Sequence, residues 1–129
     1  MLANPQQKYQ LSSIQTASPA KLLLMLYDGA IRFVKQAIVG IETKDWQMTN
    51  ENLIKAQRIV NEFIASLNHD YEISKQLLEI YDYMVRSLIE ANMKKNKEKA
   101  EEVLNHLTEL REAWYEASKK IASTSGDHG

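Results

Sequence analysis

The side chains that could do chemistry in this chain are three histidines, a scattering of carboxylates and two Tyr-Asp pairs. A carboxylate-bridged di-iron centre in a helical protein needs inward-facing glutamates and two Glu-x-x-His pairs. His69 falls in a turn, His106 on the last long helical stretch and His128 in the C-terminal tail. Glu102 stands one turn before His106 on the outer half of that helix, and no second histidine completes a ligand set. Nucleophilic catalysis has no better footing: there is no cysteine, no glycine-flanked nucleophile elbow and no glycine-rich phosphate loop. Tyr27-Asp28 and Tyr81-Asp82 come nearest to a catalytic cluster, but both aspartates fall on polar helix faces, where a solvated carboxylate is the ordinary reading. No catalytic residue, metal or cofactor is expected, and the chain reads as a non-enzyme.

Composition narrows the class further. The 129 residues suffice for one domain with a real core. Sixteen basic residues balance 17 acidic ones, so the basic excess of a nucleic-acid binder is missing. Zero cysteines exclude disulfides and fit a reducing cytoplasm. No apolar run approaches the roughly 20 residues that cross a bilayer, and Met1 to Gln10 lacks the pattern of a signal peptide. Four glycines and two prolines leave few places for turns, which favours helices on short links.

Residues 1–17 read as a flexible or short-helical N-terminal arm carrying Tyr9, Leu11 and Ile14 among polar residues. The first helix is expected from Ser18-Pro19, a cap followed by a proline suited to the first helical position, to about Ile41. The second starts near Asp45, Thr49 or Asn50, each able to cap, and carries Leu53, Ala56, Ile59, Val60, Phe63, Ile64 and Leu67 on one side. The third is expected after an Asp70 cap and runs to about Met93, with Ile73, Leu77, Ile80, Met84 and Leu88 on one ridge and Leu78, Tyr81, Val85 and Ile89 on a second. Asn96 breaks and recaps the chain before the fourth, and residues 123–129 are expected to be a disordered tail. Helices of about 20 residues, each near 30 Å long, give an all-α, antiparallel four-helix bundle over 18–122.

Two stretches nearly repeat each other. Lys21-Leu-Leu-Leu-Met-Leu-Tyr-Asp28 parallels Lys75-Gln-Leu-Leu-Glu-Ile-Tyr-Asp82 at an offset of 54 residues, so helices one and three are equivalents. Helices two and four match only weakly. In both copies the apolar arc is wider than the stripe of a little over 100° that an ordinary surface helix buries. Something must cover that surplus: the arm, a second copy, or another chain.

Five short pieces, in order, resemble the flagellar secretion chaperones (the FliS family). They are Thr16-Ala-Ser-Pro-Ala-Lys-Leu-Leu-Leu-Met-Leu-Tyr-Asp-Gly-Ala-Ile-Arg-Phe33, Asn50-Glu-Asn-Leu-Ile-Lys-Ala-Gln-Arg-Ile59, Ile80-Tyr-Asp-Tyr-Met84, Glu90-Ala-Asn92 and Leu110-Arg-Glu-Ala-Trp114. The resemblance implies a cytoplasmic export chaperone that holds the disordered C-terminal segment of flagellin. It would prevent premature polymerisation and deliver its client to the type III export apparatus, with export-gate components as further partners. It also implies an N-terminal segment able to lie over the binding surface, here with Tyr9 and Ile14 as anchors. The apolar arcs make Leu22, Leu26, Tyr27, Ala30, Tyr81, Met84 and Leu88 the client-contact candidates. The free protein is expected to be a monomer or weak homodimer. The competing reading is a structural helical module whose apolar faces mediate homodimerisation.

Overall fold

The computed structural model describes the backbone of residues 19–128 and the side chains of 20–119. Four helices follow one another: α1 Pro19–Glu42, α2 Trp46–Ala65, α3 Ile73–Lys94 and α4 Lys97–His128. Each packs on its two neighbours in a closed cycle, α1 on α2 and α4, α3 on α2 and α4. This is the expected antiparallel four-helix bundle. The arm and the Ser18 cap lie outside the described residues.

The tight links are local chemistry. After α1 the amide of Asp45 donates to the Gly40 carbonyl at 2.8 Å and that of Lys44 to the Ile41 carbonyl at 3.2 Å, the paired bonds of a Schellman stop. Lys44 occupies the left-handed conformation (φ 58°) that glycine usually takes there. Of the three capping candidates it is Asp45 that caps α2, accepting from the Met48 amide at 3.1 Å. Lys95 repeats the left-handed stop after α3 (φ 51°), and Asn96 caps α4 by accepting from the Lys99 amide at 3.2 Å.

Two boundaries differ from the sequence expectation. Asp70 does not cap α3, because the chain between the hairpins folds around Asn68 instead. Asn68 Oδ1 accepts from the Asp70 amide at 3.0 Å, and the buried Ser74 hydroxyl donates to the Asn68 carbonyl. The helix therefore begins at Ile73 without a side-chain cap. At the other end α4 continues to His128 rather than giving way to a tail at 123. No proline stops it, and extending a formed helix is far easier than nucleating one.

The 54-residue repeat becomes a pseudo-two-fold packing. Tyr27 and Tyr81, Ala30 and Met84, Val34 and Leu88, and Ala37 and Ala91 are equivalent pairs, every member buried. Helices two and four, dissimilar in sequence, keep the same register: Thr49 and Val103, Leu53 and Leu107 are buried as pairs. At the centre the two tyrosine hydroxyls lie 2.7 Å apart, one donating to the other. Phe63 stacks on Tyr27 at 4.4 Å between ring centroids and lies 5.3 Å from Tyr81. Burial pushes both phenols above their ordinary value of 10.0, while the Trp114 indole acts in the opposite direction on each.

These contacts set two expectations. A Cβ on Gly40 would meet the Thr49 hydroxyl at 2.6 Å and its amide nitrogen at 2.9 Å, so Gly40→Ala should cost about 1–3 kcal/mol in urea unfolding. Lys44→Gly in the same turn should add up to about 1 kcal/mol by relieving the left-handed lysine. For the tyrosines, a raised folded pKa means stability that is complete below pH 10 and lost as pH rises, because the unfolded chain releases protons that the folded one retains. Stability should fall above about pH 10 with a slope approaching about 2.7 kcal/mol per pH unit, two protons' worth. Tyr81→Phe should halve that slope and cost about 1–3 kcal/mol at neutral pH by leaving the Tyr27 hydroxyl short of a partner. The double variant with Tyr27→Phe should cost less than the sum of the singles.

Candidate functional site

The nine candidate contact residues divide three ways. Tyr9 and Ile14 lie outside the described residues. Leu22 and Leu26 are half-buried, Leu26 against the core. Tyr27, Ala30, Tyr81, Met84 and Leu88 are core residues, each no more than 2% exposed. In the closed bundle those five have no surface to offer another chain. The physical reason is the diagonal contact: α1 and α3 meet at the bundle centre through Tyr27 and Tyr81, which absorbs the wider arc that adjacent-helix packing would leave outside.

What surrounds the bundle is four seams between neighbouring helices, and three are closed by specific contacts. Along α4–α1, Arg111 Nε donates to Asp28 Oδ1 at 2.8 Å and Lys97 Nζ reaches Glu42 at 2.9 Å. Along α3–α4 the Tyr83 hydroxyl donates to the Glu102 carboxylate. Lys99 sits over the Tyr83 ring and 3.7 Å from Glu90, and His106 meets Tyr83 edge-on. The ammonium of Lys94, then that of Lys99, holds the Glu90 carboxyl below the usual carboxylate range. Glu102 and His106, the pair closest to a metal motif, are spent in this network. Among the described residues no group of three or more potential ligands could hold a metal ion. Along α1–α2 the helices approach closely at Gly29–Ile59 and Gly40–Thr49, and Lys55 lies over the Phe33 ring. A polar hollow of about 310 Å³ at one end of that seam is lined by Gln36, Asp45, Gln47, Glu51 and Lys55 among others. Its charged rim suits solvent.

The α2–α3 seam is different. Its polar link between the helices is an amide pair, Asn92 Nδ2 donating to Asn50 Oδ1 at 2.7 Å while the Lys95 ammonium donates to Asn92 Oδ1 at 2.7 Å. That contact fixes the register, and helical spacing then lays out the rest. On α3, Ile89 is 42% and Met93 79% exposed, with Val85 and Leu78 half-buried further along the same ridge. On α2, Trp46 stands one turn before Asn50, 45% exposed, and half-buried Ile64 lies beyond Gln57 and Asn61 on the same flank. The seam is thus an apolar strip with an amide rim. The second ridge of helix three (Leu78, Val85, Ile89) was its sequence signal; Trp46 and Met93 carried no such signal, because only the antiparallel register brings them to one end of it.

Among the described residues no helix is long and apolar enough to cross a membrane. A solved bacterial flagellar chaperone superposes with a TM-score of 0.75 over 89% of this chain and 95% of its own, at 21% identity, which bears on the fold alone. The flagellar secretion chaperone FliS of Bacillus subtilis (strain 168) is 42% identical over 116 residues, 90% of this chain and 87% of the relative. That of Salmonella typhimurium is 38% identical over 114 residues, 86% and 84% of the two chains. The family model for the flagellar protein FliS matches residues 2–121. With that span, those identities and a bundle of this architecture, the chain belongs to the FliS family of flagellar secretion chaperones.

Proposed function

We propose that this chaperone binds the disordered C-terminal segment of flagellin along the α2–α3 seam, in the cytoplasm, before export. Occupying that segment keeps flagellin from polymerising, because the same segment is needed for assembly, and leaves it in a form that the type III export apparatus can receive. The observation that carries the reading is the apolar strip of the α2–α3 seam, where Trp46, Ile89 and Met93 are exposed and the link between the helices is an amide pair in place of the ion pairs that cross the α4–α1 seam. An apolar groove between two helices suits an amphipathic segment that orders on binding. Of the contact candidates, the half-buried Leu22 and Leu26 remain at the edge of the bundle, and the contact role assigned to the five core residues passes to the seam. The rival occupant is a second copy of the chain, which would cover the same residues by homodimerisation.

Titration with flagellin and with flagellin lacking its C-terminal segment separates the two. Binding should be seen with the first and lost with the second, and Ile89→Asp or Met93→Asp should weaken it about tenfold or more with little change in melting temperature. A concentration-dependent dimer without flagellin affinity would establish the rival. Tyr27→Ala, by contrast, should cost about 3–5 kcal/mol of folding stability, as removal of a buried aromatic ring does.

A further inference from the structure

The internal repeat supplies a comparison within one molecule. An offset of 54 residues carries α1 onto α3 and α2 onto α4, so the α4–α1 seam is the equivalent of the α2–α3 seam. In the first, Arg111 reaches across to Asp28 at 2.8 Å and also lies over the Tyr115 ring. In the second, the same two positions are held by Gln57 and Asp82. The carboxylate is retained and the guanidinium is replaced by a neutral amide. Asp82 turns instead to Arg86, one turn along its own helix at 3.5 Å, with both side chains more than half exposed. An exposed pair of this kind is worth a few tenths of a kcal/mol and yields readily to a better-placed cation. The open seam therefore keeps the acceptor half of a clasp whose donor half is missing, beside amides (Asn50, Gln57, Asn61) that bring no charge of their own.

We propose that the bound client supplies the missing donor: an arginine or lysine of its segment lies between α2 and α3 against Asp82, with apolar residues on either side of it seated on the strip. This rests on the reading of the α2–α3 seam as the client site. It names the ligand class more closely, an apolar segment carrying one basic residue at the level of Asp82, and makes Asp82 a specificity determinant for that segment.

The test is titration of the isolated flagellin C-terminal segment into the wild-type chaperone and three variants, each checked by its melting curve. Gln57→Arg places on the chaperone the guanidinium that its own repeat carries at Arg111, and should weaken binding about tenfold by occupying Asp82 from within. Asp82→Asn should weaken it to a similar degree. Asp28→Asn, in the closed seam, should leave affinity within about twofold. Replacing the segment's Arg and Lys residues one at a time by Gln should then reveal one whose loss costs about tenfold against the wild type and nothing against Asp82→Asn. If wild type binds while Gln57→Arg or Asp82→Asn binds equally well, or if no basic residue couples to Asp82, the inference is overturned with the client site intact. If the wild type does not bind the segment, the site assignment fails and takes this inference with it.

Discussion

The bundle is organised around one contact, the hydroxyl pair of Tyr27 and Tyr81. A phenol hydroxyl buried without a partner costs about 1–3 kcal/mol, and here each hydroxyl satisfies the other, with the Trp114 indole acting on both. That pairing fixes the relative height of α1 and α3, which sit diagonally across the bundle and share no seam. With that height set, Phe63 fills the space between the rings, and the equivalent pairs Ala30 and Met84, Val34 and Leu88 fall level with each other. The symmetry of the interior is thus specified by polar pairing, and apolar packing follows it.

Symmetry inside makes asymmetry outside meaningful. If the two hairpins were identical on their surfaces, the α2–α3 and α4–α1 seams would be closed alike. Instead one carries Arg111–Asp28 and Lys97–Glu42, and the other has a neutral Asn50–Asn92 bond with apolar side chains beside it. Exposed ion pairs add little to stability, each typically below about 1 kcal/mol. Their effect is chiefly to make a seam inhospitable: inserting an apolar chain there would strip charges of water and of each other. On the open seam the ion pair, Asp82–Arg86, lies along one helix at the edge and does not bridge the gap, so that penalty is smaller there.

Much of this was legible in the sequence. Four amphipathic stretches, Asp45 and Asn96 at helix starts, and the scarcity of glycine and proline sufficed for the architecture, and the Tyr-Asp repeat disclosed the relation between α1 and α3. Which apolar residues face outward was not legible. Helical periodicity shows how wide an arc is, but not how much of it a diagonal contact consumes. Tyr27 and Tyr81 read as client contacts because a phenol usually keeps its hydroxyl wet; a second hydroxyl from 54 residues away is what makes their full burial tolerable. Likewise Lys44 and Lys95 hide two left-handed stops, since the glycine that normally marks such a turn is missing.

The form of the occupant follows from magnitudes. Ordering ten residues of a disordered segment costs roughly 10–20 kcal/mol in backbone entropy. Fully covering an apolar side chain returns about 1.5–3 kcal/mol, and the six on this strip are already partly covered, so the chaperone's side alone returns less than about 10 kcal/mol. The client must therefore bury apolar side chains of its own and leave no backbone group unpaired. A helix does both, since its amides and carbonyls are satisfied internally, and it can lie between α2 and α3 as a third packed rod. An extended chain would have to find partners for alternate amides on a rim that offers Asn50, Gln57 and Asn61 but is otherwise apolar. On the proposed reading the seam would select a helical, apolar segment, and Asp82 at its edge would provide a fixed point for the register of that helix.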